Sequence, residues 1–323
     1  MGYEFNIDFS NRKMSIPGIL NDGFTLKDVA ISYADKDNAL NGVMNGIFNG
    51  EIKSGNSIPV IDYHIPHFDS IVNIIVIGAG GTGGYLIRDL ARFIYSVQQD
   101  HSDLKIELTI IDGDIVEEKN LIRQNFIKQD IGKYKAEVLA ERYSAAFGIE
   151  ISAVTEMLTD INAKNRIFSS YNNNYCNIVV GCVDNNQTRR IIHNALRNKK
   201  IYWLDAGNER KSGQIVLGMG SGYRGYGDDL FSSHHLPYVT DIYPEILDPL
   251  MDDTDKTISC AERSLADAQN IFVNLSAATY LLNFLRQLIL KEKISLSSLE
   301  FNIKGITQVK YLTSDFFKNI NGV

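Results

Sequence analysis

From Ile74 onward the chain alternates between short apolar runs and longer stretches with apolar residues at helical spacing. Ile74-Ile75-Val76-Ile77 is a continuous β-branched run, the pattern of a parallel strand covered on both faces. The spacing then predicts a helix over 84–97, a strand over 106–111, a helix over 135–147 and a strand over 149–154. A strand over 177–183, a helix over 186–197 and strands near 201–205 and 214–217 complete the series. Strand alternating with helix predicts βαβ units and a mostly parallel sheet. Residues 271–290 read as a long helix, and 301–312 as strands turning at Gly305. The expected fold class is α/β, a Rossmann-like sheet that ends in antiparallel C-terminal strands.

Two regions break the rhythm. In residues 1–70, Tyr3, Phe5, Ile7 and Phe9 alternate with polar residues, as in an edge or half-buried strand. Glycines and asparagines punctuate 41–56, and Pro59 and Pro66 close the region. Residues 219–259 begin Gly-rich and turn acidic, with Asp241, Glu245, Asp248, Asp252, Asp253 and Asp255 and no Lys or Arg between the first and last of these. A connection this long is uncommon unless functional; each single carboxylate in it also reads as solvated surface. The expected organisation is an N-terminal extension (1–70), a nucleotide-binding core (71–218), an acidic crossover (219–259) and a C-terminal helix with strands that completes the core (260–323).

Composition narrows the function classes. Of the 323 residues, 44% are hydrophobic and 22% charged, which fits a globular chain with a sizeable core. The net charge of −7 argues against a nucleic-acid surface, which needs clustered cations. The doublets Arg189-Arg190 and Lys199-Lys200 read as solvated helix surface. Three cysteines, Cys176, Cys182 and Cys260, fit a reducing compartment, and no CxxC pair offers zinc ligands. Met1-Gly2-Tyr3-Glu4 shows no basic and apolar leader pattern. The 271–290 stretch carries Asn274, Asn283, Arg286 and Gln287, which argue against a membrane span. The expected location is the cytoplasm.

The chemistry starts at Gly78-Ala79-Gly80-Gly81-Thr82-Gly83-Gly84, which follows the first buried strand and opens a helix. Glycines permit a tight turn, and the absent side chains let a nucleotide reach the free N–H groups of the helix start. Asp112, at the end of the second strand, is placed to meet a ribose. A nicotinamide or flavin dehydrogenase would show the same two features. Three later segments separate the readings: Asn120-Leu121-Ile122-Arg123-Gln124, then Gly132 and Lys135, then Asp184-Asn185 after a further strand. Arg and Lys neutralise a triphosphate as its α-phosphorus is attacked. An Asp beyond a strand end can hold Mg²⁺. Singly, Lys135 reads as a solvated helix residue and Asp184 as a helix N-cap.

Taken in order, the glycine loop, Asp112-x-Asp114, Asn120-x-x-Arg123-Gln124, Gly132-x-x-Lys135 and Asp184-Asn185 resemble the ThiF/MoeB/E1-like superfamily over about residues 71–290. Asp205-Ala206-Gly207-Asn208, the Asp248–Asp255 stretch, Ser259-Cys260 and the 269–274 stretch make the chain most similar to PRTRC-system ThiF-family proteins. The resemblance implies the adenylation fold of that family and an ATP-dependent adenylyltransferase. The activity would be that of a ubiquitin-like modifier activating enzyme using Mg²⁺. By it, Gly78, Gly80, Gly81 and Gly83 form the phosphate cradle and Asp112 meets the ribose. Asn120, Arg123 and Lys135 hold phosphates, with Asp114, Gln124 and Asn185 beside them and Asp184 on the magnesium. The substrate it implies is the C-terminal glycine of a ubiquitin-like or sulfur-carrier protein, with an E2-like protein as a further partner and a homodimer as the assembly. The chain departs from the wider pattern in lacking CxxC pairs. Its only Arg before Arg88 is Arg12, with Lys53 nearer the place of a trans-acting Arg. The alternative is a Rossmann-fold nucleotide binder, an NAD-dependent oxidoreductase or a non-catalytic scaffold.

Cys260 ends the acidic segment, and Ser259-x-x-Glu262 matches a capping box that would put the thiol in a helix's first turn. A helix N-terminus raises the thiolate fraction, and the resemblance makes this cysteine the acceptor of the activated carrier as a thioester. The other reading is a small apolar packing residue. Cys176 and Cys182 flank an apolar strand and read as core.

Overall fold

The computed structural model describes residues 6–8, 13–15, 70–169, 171–196, 199–209, 211–220, 236–250, 271–305 and 307–312. The chain divides into two compact units, Met1–Ile61 with Thr313–Asp315 and Asp62–Leu312 with Phe316–Val323. In the first, β1 (Asn6–Asp8) pairs antiparallel with β2 (Lys13–Ser15).

The second unit carries the alternation that the apolar pattern predicts. In order come β3 (Ile71–Ile77), α1 (Gly81–Asp100), β4 (Lys105–Ile111), α2 (Lys135–Phe147) and β5 (Ile151–Val154). Next are α3 (Ala163–Ile167), β6 (Cys176–Gly181), α4 (Asn186–Leu196), β7 (Tyr202–Asn208) and β8 (Ser212–Met219). The last elements are α5 (Val239–Ile242), α6 (Ile271–Ile289), β9 (Leu296–Asn302) and β10 (Thr307–Tyr311). One eight-stranded sheet runs in the order β10-β9-β8-β7-β6-β3-β4-β5. Its strands are parallel from β5 to β7, and β8, β9 and β10 join antiparallel. The α/β sheet with antiparallel C-terminal strands is the one expected. The last hairpin turns at Gly305, whose φ of +82° suits a residue without Cβ.

The order of strands places the site. From β3 the chain moves outward to β4 and β5, then returns to the other side of β3 as β6. In an open α/β sheet the crevice at the carboxyl ends of the strands flanking such a reversal is where ligands bind. Both flanking strands are rigid. Every residue of β6 is buried, and six of the seven in β3 are. Asn73 donates to the Asn177 side chain across the sheet at 3.2 Å, so these buried amides are partnered. Ile75 and Ile77 pack on one face with Val179, Ile191, Ile192, Trp203 and Val239. On α6, Val273, Ala277, Leu281, Phe284 and Leu285 are buried, and the helix packs against α1, β7 and β8. Among the described residues, no helix is long and apolar enough to cross a membrane.

Several boundaries differ from expectation, among them β9, which starts at Leu296 rather than Phe301. Helix α1 starts at Gly81 rather than Gly84, because the glycine loop itself supplies the first turn. Strand β6 ends at Gly181 rather than Val183, where the backbone turns away to place carbonyls on an arginine of α4. Part of the acidic segment is structured: α5 and a 3-10 turn at Pro244–Leu247 lie in it. Asp241 and Asp248 accept the Tyr238 and Leu250 amides, so these two carboxylates cap local turns rather than standing as solvated surface alone.

Ile74 is fully buried in β3. Ile74→Ala should lower the unfolding free energy by about 2–5 kcal/mol in a denaturant titration. A loss under about 1 kcal/mol would contradict a central place for this strand.

Candidate functional site

Strand β3 meets α1 through a backbone path with no room for a side chain at Gly78, Gly81 or Gly83. Gly78 has φ +95°, and a Cβ there would lie 2.6 Å from the Cys182 carbonyl oxygen. A Cβ on Gly83 would overlap the Gly78 carbonyl oxygen, and one on Gly81 would overlap the Asn274 side chain. Gly78 donates to Ile111 O and Cys182 to Ile77 O, which extends the ladder past the strand ends. Helix α1 has no side-chain cap and no acidic residue in its first turn. Its first amides and the positive end of its dipole are therefore free for an anion.

The acids and bases come from the next two strand ends. Asp112 follows β4 and accepts the Ala79 amide at 2.6 Å and the Asp114 amide at 2.9 Å. Burial pushes its pKa up, against the opposing effect of those amides and of Lys135. Lys135, the first residue of α2, is not a solvated helix residue. Its side chain is 8% exposed and its Nζ lies 2.8 Å from the Asp114 carboxylate. Arg123 is half-buried, and among the described residues its guanidinium has no partner. The Gln124 Oε1 is buried and unpartnered among them. Asn120 is placed differently from its neighbours. It is buried, its Oδ1 accepts the Glu117 amide at 2.8 Å, and its backbone oxygen accepts from Arg123 and Gln124. It shapes the 3-10 turn that presents those two residues.

Asp184 is exposed three residues beyond β6. The N-cap of α4 is its neighbour: Asn185 Oδ1 accepts the Thr188 amide at 2.8 Å. The alternative role of Asp184 as helix cap is thus taken by Asn185. Among the described residues, no three His, Cys, Asp or Glu side chains cluster as a ready metal site. A Mg²⁺ here would have Asp184 as its protein carboxylate and phosphate and water for the remainder, a donor set common for this ion.

A cavity of about 1040 Å³ joins these groups. Gly78, Gly80, Gly81, Asp112, Asp114, Arg123, Gln124, Lys135, Asp184 and Asn185 all line it, whereas Gly83 and Asn120 stand behind the wall. Sequence reasoning assigned no role to the far wall, where Asn208, Gln214, Glu300 and Phe301 come from β7, β8 and β9. Asn208 donates to Thr82 and, at 3.2 Å, to Asn274, linking the end of β7 to the glycine loop and α6. The available signal was a polar residue inside an apolar element, as at Asn274, which is fully buried in α6.

One expectation is corrected. Arg189-Arg190 is not solvated surface. Arg189 is buried and bonded to Asp205, and Arg190 donates to Ile246 O. A buried carboxylate on β7 recruits the first, and an orphan carbonyl of a 3-10 turn the second. Cys176 is buried, with a thiol pushed up to about 12 by desolvation. The half-buried Cys182 is also pushed up, by desolvation and by Asp205. Cys260 and the Ser259–Glu262 capping box lie outside the described residues.

The ThiF family profile matches residues 70–318. The NEDD8-activating enzyme E1 catalytic subunit of Arabidopsis thaliana is 42% identical over 82 residues, 25% of this chain and 16% of that protein. Escherichia coli MccB solved with MccA superposes with a TM-score of 0.52 at 18% identity, over 75% of this chain and 64% of that one. MccB solved with ATP gives a TM-score of 0.50 at 19% identity over the same shares. The likeness to MccB shows a common fold, and this chain spans under two thirds of MccB's length.

The raised pKa values of Cys176 and Cys182 imply that neither forms a thiolate at neutral pH. In a Cys260→Ser variant, iodoacetamide at mildly alkaline pH should label the folded protein negligibly and both remaining cysteines after denaturation. Rapid labelling of the folded variant would contradict their burial.

Proposed function

The chain belongs to the ThiF family, and from that membership and the site's geometry we propose that it adenylates a carboxyl terminus with Mg-ATP, as an E1-like activating enzyme. The observation that carries the reading is the pairing of an unshielded helix N-terminus with two cations, Arg123 and Lys135, at one cavity. A dinucleotide's pyrophosphate is served by the glycine loop alone, whereas a triphosphate meeting an incoming carboxylate gathers far more negative charge.

In this reading the amides of Gly80 and Gly81 meet the phosphates. Asp112, already turned toward the loop, takes the ribose. Lys135 exchanges its ion pair with Asp114 for phosphate oxygens, and Arg123 binds phosphate without surrendering a partner. Asp184 would hold Mg²⁺, which supplies charge neutralisation when bound. A carboxylate oxygen of the substrate attacks the α-phosphorus, the bond to the bridging oxygen breaks, and pyrophosphate leaves with that electron pair. The product is an acyl-adenylate.

The substrate we propose is a small protein or peptide ending in a free carboxylate, a ubiquitin-like or sulfur carrier ending in Gly. Support comes from the relatives: one activates NEDD8, and MccB has been solved with MccA. The cavity wall at Gln214 offers a side-chain amide to an extended tail. The reading extends to a homodimer, and Cys260 either takes the activated carrier as a thioester or packs while the adenylate passes on directly.

Calorimetric titration tests the nucleotide. ATP with Mg²⁺ should bind and NAD should not. Arg123→Ala should weaken ATP binding by about 1.5–3 kcal/mol, on the order of 10- to 100-fold, and leave AMP nearly unaffected. Tight NAD binding without ATP binding would favour an oxidoreductase.

A further inference from the structure

Asp184 is exposed, and among the described residues its carboxylate has only a 3.4 Å bond from the adjacent Asn185. The backbone on either side of it is tied down. On its C-terminal side Asn185 is fixed as the cap of α4. On its N-terminal side Val183 O accepts a hydrogen bond from Arg189 Nη2 at 2.8 Å. The same nitrogen donates to Ala206 O at 3.0 Å, two residues before Asn208 on the opposite wall. Arg189 Nε completes the fork on Asp205 Oδ1 at 2.9 Å, and Nη1 reaches Asn186 Oδ1 at 3.5 Å.

Resting on the adenylation reading, we propose that the Arg189–Asp205 pair is a positioning device that sets Asp184 for the metal–nucleotide complex. The pair is deeply enclosed, with side chains 10% and 1% exposed. Room for it is made by Gly181, the register partner of Asp205, where a Cβ would overlap the Asp205 carboxylate. A buried ion pair is a weak source of stability, since desolvation offsets most of its attraction. Its geometric yield is larger. The planar guanidinium bonds one carboxylate oxygen of Asp205 and two carbonyls in different segments at once, and a lysine ammonium has no such fork. The chain thus links Gly181, Asp205, Arg189 and Val183 O in one line, ending beside Asp184. Groups that orient a metal-binding side chain cost about 10–100-fold in metal affinity when removed.

The test is ATP calorimetry at stepped Mg²⁺ concentrations and in EDTA, on wild type, Arg189→Lys, and the apolar pair Arg189→Met with Asp205→Leu. In wild type, ATP affinity should rise with Mg²⁺. In both variants the Mg²⁺ concentration giving half of that rise should increase about 10- to 100-fold, with ATP affinity in EDTA unchanged. The apolar pair removes both buried charges together and leaves neither unpaired, so it decides the matter if the lysine variant fails to fold. Adding Asp184→Asn to it should cost no more than Asp184→Asn alone. A folded apolar pair with wild-type Mg²⁺ dependence would overturn the positioning role. Wild-type protein that binds no ATP, or binds it indifferently to Mg²⁺, would instead overturn the reading of the site itself.

Discussion

Between the end of β3 and the first turn of α1 the backbone packs so closely on itself and on the chain leaving β6 that no side chain fits at Gly78 or Gly83. Gly78 lies against the Cys182 carbonyl and Gly83 against Gly78. That contact brings the strand ends on either side of the sheet's reversal together and leaves the helix amides bare. Asp112 then reaches the Ala79 amide, and the turn after β6 carries Asp184 to the cavity rim. The rest of the site is arranged around this passage.

The two cations stand in different states. Lys135 is buried and its charge is met by Asp114 in an ion pair and by the nearby Asp112, an arrangement in which a phosphate can take the place of Asp114. Arg123 is half-buried and retains solvent access, so it tolerates having no partner among the described residues. A site with one held and one free cation can accept a strongly anionic ligand without leaving a buried charge exposed when that ligand departs. The far wall is tied to the same passage through Asn208, Thr82 and Asn274. A ligand touching β7 and one touching the glycine loop therefore rest on one hydrogen-bonded frame.

Much of this was legible in the sequence. The β-branched run at Ile74–Ile77 marked the central strand because burial on both faces leaves no polar alternation. The order of Gly78–Gly83, Asp112, Arg123, Lys135 and Asp184 marked residues that the fold brings to one cavity, apart from Gly83 and Asn120, which support it from behind. What escaped was long-range charge pairing. Arg189 looks like surface beside Arg190, and only the three-dimensional neighbourhood of β6 and β7 shows that Asp205 draws it inward. Local spacing in the helix that carries Arg189 holds no information about a partner 16 positions away on a strand. The cap at Asn185 was likewise ambiguous, since Asp184 and Asn185 are both good capping residues and only the Thr188 amide decides between them.

The proposed reaction joins a carboxyl terminus to AMP in this cavity. The most direct measurement is ATP–pyrophosphate exchange with labelled pyrophosphate, using purified protein, Mg²⁺, ATP and the small-protein fraction of its own cell extract. Label should enter ATP only when that fraction is present, and the exchange should be lost after carboxypeptidase treatment of the fraction. Exchange that ignores the carboxypeptidase, or none at all while NAD occupies the site, would contradict the proposed reaction.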